Sequence, residues 1–137
     1  MSTPLPKATR VLASAFAASG IIHLVRPQVF EPLIPPALPA RRSWVYASGV
    51  AELACAVGLA RRSRWAPRAS ALLLLAVWPG NGQHALIVQR SQRASTAQKV
   101  LVWARLPLQV PMIRTALRSA SPSSSIPDEL DDEGATP

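Results

Sequence analysis

Trp44 to Ala60 reads WVYASGVAELACAVGLA, seventeen residues with one charge, Glu52, near the centre. A helix crosses the hydrocarbon core in about 17–25 residues, so this run is just long enough to span a bilayer. It opens on Trp44 and Tyr46, amphipathic rings suited to the membrane–water interface. Three more runs lie on either side. Val11 to Val25, VLASAFAASGIIHLV, reaches spanning length once Ala8 to Arg10 are counted. Ala69 to Gln89 carries the core ALLLLAVW and then a polar half, PGNGQH. Val100 to Leu117, VLVWARLPLQVPMIRTAL, is the weakest, interrupted by Arg105, Pro107, Pro111 and Arg114.

Backbone amides in hydrocarbon must bond within their own segment, which makes these runs helices. The expected fold is an all-α, four-helix transmembrane bundle over residues 1–118, with helices at about 8–25, 44–60, 69–89 and 100–117. Pro79 is expected to kink the third helix, and Pro107 and Pro111 the fourth. Ala17, Ala18 and Gly20 in the first run, and Ser48, Gly49 and Ala56 in the second, allow backbones to approach closely. Residues 119–137, SASPSSSIPDELDDEGATP, are rich in Ser, Pro and acid, the composition of a disordered tail. A basic start before a short apolar run also describes a signal peptide. The three later runs favour a retained first helix.

Composition points the same way. Hydrophobic residues make up 49% of the chain and charged ones only 16%, against about a quarter in soluble domains. The net charge is +8, and five of the seven acids sit in the tail, at Asp128, Glu129, Asp131, Asp132 and Glu133. The bases fall in short clusters between apolar runs, which excludes a nucleic-acid partner and leaves the bilayer as the first one. Arg61, Arg62, Arg64 and Arg68 form the densest cluster and belong on the cytoplasmic side, which places both termini there too. The lone Cys55 forms no intrachain disulfide and reads as a packed small hydrophobe. Two His and one Cys do not make a metal site. No catalytic residue is assigned, and the chain is not expected to be an enzyme on its own.

Polar groups inside the runs are the candidate site. Ionisable residues in spans are costly and face the bundle interior. His23, Glu52, Asn81, His84, Arg105 and Gln109 are expected to converge on one interior patch, since Asn81 and His84 share a helix face, as do Arg105 and Gln109. Glu52 is the only acid in any run, so Arg105 is its expected partner. Such a pair either fixes helix register or serves a ligand. The connection Arg26 to Ser43, RPQVFEPLIPPALPARRS, holds five prolines among apolar residues. It reads either as a cap over the bundle mouth or as a rigid spacer.

The order of short elements adds a resemblance. Gly20-Ile21-Ile22-His23-Leu24 with Pro27 and Phe30 comes first, then Ile34-Pro35 and Leu38-Pro39. Ser48-Gly49-Val50-Ala51-Glu52-Leu53 and Gly58-Leu59 follow, then Pro79-Gly80-Asn81 and Arg105-Leu106-Pro107-Leu108-Gln109. Over residues 8–117 the chain resembles the DoxX-like family of small four-helix bacterial membrane proteins; Leu24, where relatives often carry Phe, departs from its pattern. The resemblance implies a multi-pass protein of the bacterial plasma membrane associated with redox assemblies. It implies a quinone as cofactor and redox-enzyme subunits or a second copy of the chain as partners. Three functions stand open: an accessory or structural subunit of a redox assembly, a quinone-proximal oxidoreductase component, or a small-solute or lipid transporter. In the second, Glu52, His23 and His84 relay protons while Arg105 and Gln109 orient a carbonyl head group.

Overall fold

A computed structural model of the protein describes residues 4–120. The tail expected over 119–137 lies outside the described residues from 121 onward. The described chain forms α1 (Lys7–Val25), α2 (Arg41–Ala60), α3 (Ala66–Arg90) and α4 (Thr96–Arg118), with two short 3-10 turns, Pro27–Val29 and Glu31–Leu33, between α1 and α2. There is no strand among the described residues. Helices α1, α2 and α3 are each long and apolar enough to cross a membrane. Helix α4 is diluted by Lys99, Arg105 and Arg114 and is not among them. Pro79 lies inside α3, and Pro107 and Pro111 lie inside α4.

The outside of the molecule is apolar. Val11, Leu72 and Leu101 are 69%, 67% and 64% exposed. Water would penalise so much continuous apolar surface, whereas lipid chains match it. Chain neighbours pack side by side and α4 closes back on α1, while the backbones of α1 and α3, like those of α2 and α4, do not approach closely. The latter pairs are the diagonals. Contact is concentrated within α1–α2 and within α3–α4, so the molecule is built of two helical hairpins.

Small residues set the spacing. At the end holding the α2–α3 turn, Leu12, Phe16, Leu59 and Leu74 pack among Cys55, Ala56, Ala66, Ala71 and Ala116. Further along α1–α2 the two backbones meet at Gly20 and Gly49. A Cβ on Gly49 would lie 2.8 Å from His23 Cβ and 3.1 Å from the Gly20 carbonyl. A Cβ on Gly20 would lie 2.8 Å from the Gly49 carbonyl. Neither position has room for a side chain.

The helix ends have local causes. At Ser95 a reciprocal capping box opens α4: Ser95 Oγ accepts from the Gln98 amide at 3.2 Å, and Gln98 Oε1 accepts from the Ser95 amide at 2.9 Å. This carries α4 four residues upstream of the expected start at 100. Helix α2 closes with paired bonds from the Arg62 amide to Leu59 O (3.1 Å) and from the Ser63 amide to Gly58 O (2.8 Å). Arg62 there takes a left-handed φ of 56°, at a position usually given to glycine. Thr9 Oγ1 and Ser119 Oγ are 2.9 Å apart, and the Ser119 hydroxyl donates to Thr115 O at 2.9 Å. Ser119, read from sequence as tail, is therefore tied to the folded unit.

The proline-rich connection folds over the far end of the molecule. It touches α1, α2 and α3. Arg42 Nε donates to Glu31 Oε1 at 2.9 Å, and Gln83 Nε2 donates to the Pro32 carbonyl at 3.4 Å. Of the two expectations for this segment, a cap is what forms.

Candidate functional site

The polar residues fall into two groups, one on each hairpin. On the first, the glycine contact brings α1 against α2 and leaves His23 lying over Gly49. His23 and Glu52 are 9% and 5% exposed, and His23 Nδ1 lies 3.5 Å from Glu52 Oε2. The same nitrogen is 2.8 Å from the Ser19 carbonyl, which can only accept, so Nδ1 carries a proton and donates it there. Glu52 Oε2 is at charge-contact distance from that nitrogen but makes no hydrogen bond to it, and has no hydrogen-bond partner among the described residues. The Ser19 hydroxyl, 3.4 Å from His23 Nδ1, faces the carboxylate.

Phe30 completes this group. Its ring stacks on the His23 imidazole with centroids 3.8 Å apart and planes 14° from parallel. Phe30 sits between the two 3-10 turns, so the connection fixes the imidazole from above while Ser19 fixes it from the side. Deeper along the bundle, Cys55 lies within electrostatic reach of Glu52, and the Ser70 hydroxyl lies beside the Cys55 thiol.

On the second hairpin, Gln109 is buried and its Nε2 donates to the Leu74 carbonyl at 3.0 Å. That bond staples α4 to α3. His84 and Arg105 are not in this contact. They line a cleft of about 470 Å³ between the far ends of α3 and α4, together with Arg93 and Gln98 at its mouth and apolar walls that include Ile87 and Leu101. Asn81, half-buried one turn before His84, is joined to neither group by a hydrogen bond among the described residues.

The single patch expected from sequence is thus divided. Glu52 and Arg105 do not form an ion pair; the ionisable group beside Glu52 is His23. The reason is topological. Glu52 is on α2 and Arg105 on α4, diagonal helices whose backbones do not approach closely. Arg105 still lies within electrostatic reach of both Glu52 and His84. Ser19, Phe30 and Arg93 belong to these sites and were not among the candidate site residues. Ser19 had a signal, since it precedes His23 by four residues, one helical turn. Phe30 and Arg93 lie in connections, where spacing predicts no contact.

Residues 12–120 match the family described as a domain of unknown function, DUF8561, and the chain belongs to that family. No curated protein and no solved structure matches the chain.

Proposed function

We propose that this DUF8561 member is a four-helix integral membrane protein of the DoxX-like type, with α3 and α4 bent at their prolines, and that it serves as an accessory subunit of a bacterial membrane redox assembly. The observation that carries this is the His23–Glu52 pair, held at 3.5 Å inside helices of membrane-spanning character. An imidazole and a carboxylate so placed take up and pass on a proton. Electrons require a redox centre, which a partner subunit supplies. The element order around Pro79-Gly80-Asn81 and Arg105-Leu106-Pro107-Leu108-Gln109 supports the DoxX-like assignment.

A fourth crossing is supported by position and not by composition. Helix α4 packs beside both α3 and α1. The Thr9–Ser119 bond sets the two ends of the described chain at the same end of the molecule, which an even number of crossings requires. The arginines at 61, 62, 64 and 68 direct that end to the cytoplasm.

Two measurements test the proposal. Reporters placed after Arg118 and at Ser63 read cytoplasmic, and one inserted at Gln92 reads periplasmic; reporters at Gln92 and after Arg118 on the same side refute the fourth crossing. Purification from native membranes in mild detergent recovers a second polypeptide with flavin, haem or quinone absorbance. A chain that purifies alone and colourless from those membranes refutes the accessory role.

A further inference from the structure

We propose that the cleft between α3 and α4 is a binding site for an acidic phospholipid, whose phosphate is held by Arg93 and Arg105 and whose acyl chains lie along Ile87 and Leu101. This rests on the fourth crossing proposed above and not on the redox role. Three observations converge on it.

The first is charge. Arg93 and Arg105 both line the cleft, and neither forms an ion pair among the described residues. A guanidinium keeps its charge at any accessible pH. Arg105 is exposed near the middle of α4, ten positions into a helix of 23 residues; in a helix that crosses the bilayer, an uncompensated cation there is unfavourable. Among the described residues the only acid within its electrostatic reach, Glu52, is on the diagonal helix and already beside His23. No described residue supplies the missing counter-charge.

The second is the form of the cleft. It is open at the surface, and Ile87 and Leu101 on its walls are exposed, on the faces that meet lipid. A soluble anion gains nothing from such walls, whereas an amphiphile matches both parts. The third is the mouth. Gln98 and Arg93 border it, and the first turn of α4, which contains no acid, ends there. The helix-end field and the arginines act in the same direction. A basic pocket between spans at the membrane surface suits an anionic head group. A quinone is neutral and would leave both guanidiniums uncompensated.

The test uses the full chain in detergent with equal amounts of phosphatidylglycerol and phosphatidylcholine, read by native mass spectrometry. The wild type retains phosphatidylglycerol at least tenfold over phosphatidylcholine. Arg93→Gln, a change at an exposed turn position, reduces that preference several-fold, and Arg93→Gln/Arg105→Gln abolishes it. Arg105→Lys, which keeps the charge at the same depth, retains part of it. Arg64→Gln/Arg68→Gln, at the opposite end, leaves it within twofold of wild type. Equal retention of the two lipids by the wild type overturns the proposal, as does undiminished preference in the double variant. Displacement of the lipid by glycerol 3-phosphate would instead identify a site for soluble anions. Displacement by a short-chain quinone would identify a quinone site. Either result also overturns it.

Discussion

The two hairpins solve opposite problems with the same number of helices. In α1–α2 the backbones touch at Gly20 and Gly49, and the polar side chains answer one another inside the hairpin. In α3–α4 one staple, Gln109 to Leu74 O, holds the middle, and the far ends part around two arginines with no acid between them. A membrane protein can bury a charge beside a partner or leave it exposed. The first hairpin does the former with Glu52, and the second leaves Arg93 and Arg105 exposed, the pair proposed above to hold a lipid phosphate. The difference follows from where glycine, proline and the lone acid fall in the sequence.

Deleting the basic partner should therefore have unequal effects on the two sides. His23→Ala leaves the Glu52 carboxylate buried without the ionisable group beside it and removes the Phe30 stack. It should destabilise by about 3–5 kcal/mol, as broken buried pairs do. Arg105→Ala removes a charge with no ion-pair partner among the described residues, and should change stability by less than about 1 kcal/mol. Unfolding of both variants in the same detergent checks this. Equal losses would erase the distinction between the hairpins.

The glycines sharpen it further. Gly49→Ala places a methyl group 2.8 Å from His23 Cβ, and overpacking of this kind costs about 1–3 kcal/mol. Gly82 in α3 has nothing within 4 Å of its would-be Cβ. There Gly82→Ala should stabilise, by up to about 1 kcal/mol from helix propensity. The sign of the effect, read from melting midpoints, reports which hairpin is closed. At the smallest scale, Ser95→Ala removes the cap that opens α4 and should cost about 1 kcal/mol. Because the cap sits at the cleft end of the looser hairpin, hydrogen exchange should rise locally at Thr96 to Lys99 and leave α1–α2 unchanged.

Much of the fold was legible because apolar runs in a membrane must be helices, and Val11–Val25, Trp44–Ala60 and Ala69–Gln89 are unambiguous as such. The start of α4 was legible too, in Ser95-Thr96-Ala97-Gln98, but the capping box is polar and lies before the apolar stretch from which the helix was read. The site was harder. Scarcity of acids in the spans pointed Glu52 to Arg105, and that logic takes charge into account but not adjacency. Which helices are diagonal depends on the packing of all four, and no single helix encodes it. His23 was legible as a polar group within the first run, yet its contact with Glu52 required knowing that Gly49 lies against it. Phe30 and Arg93 entered through connections, whose paths are set by the helices they join.

A pair of double-mutant cycles tests the division between the hairpins most directly. One combines His23→Gln with Glu52→Gln, the other Arg105→Gln with Glu52→Gln, all measured by reversible unfolding in one detergent. Residues in contact couple by about 0.5–3 kcal/mol, and separated ones add within about 0.5 kcal/mol. Coupling of at least about 1 kcal/mol is expected for His23 with Glu52, 3.5 Å apart, and near-additivity for Arg105 with Glu52. The reverse order, with Arg105 the more strongly coupled to Glu52, would mean that the acid pairs across the bundle and that the second hairpin holds no uncompensated charge.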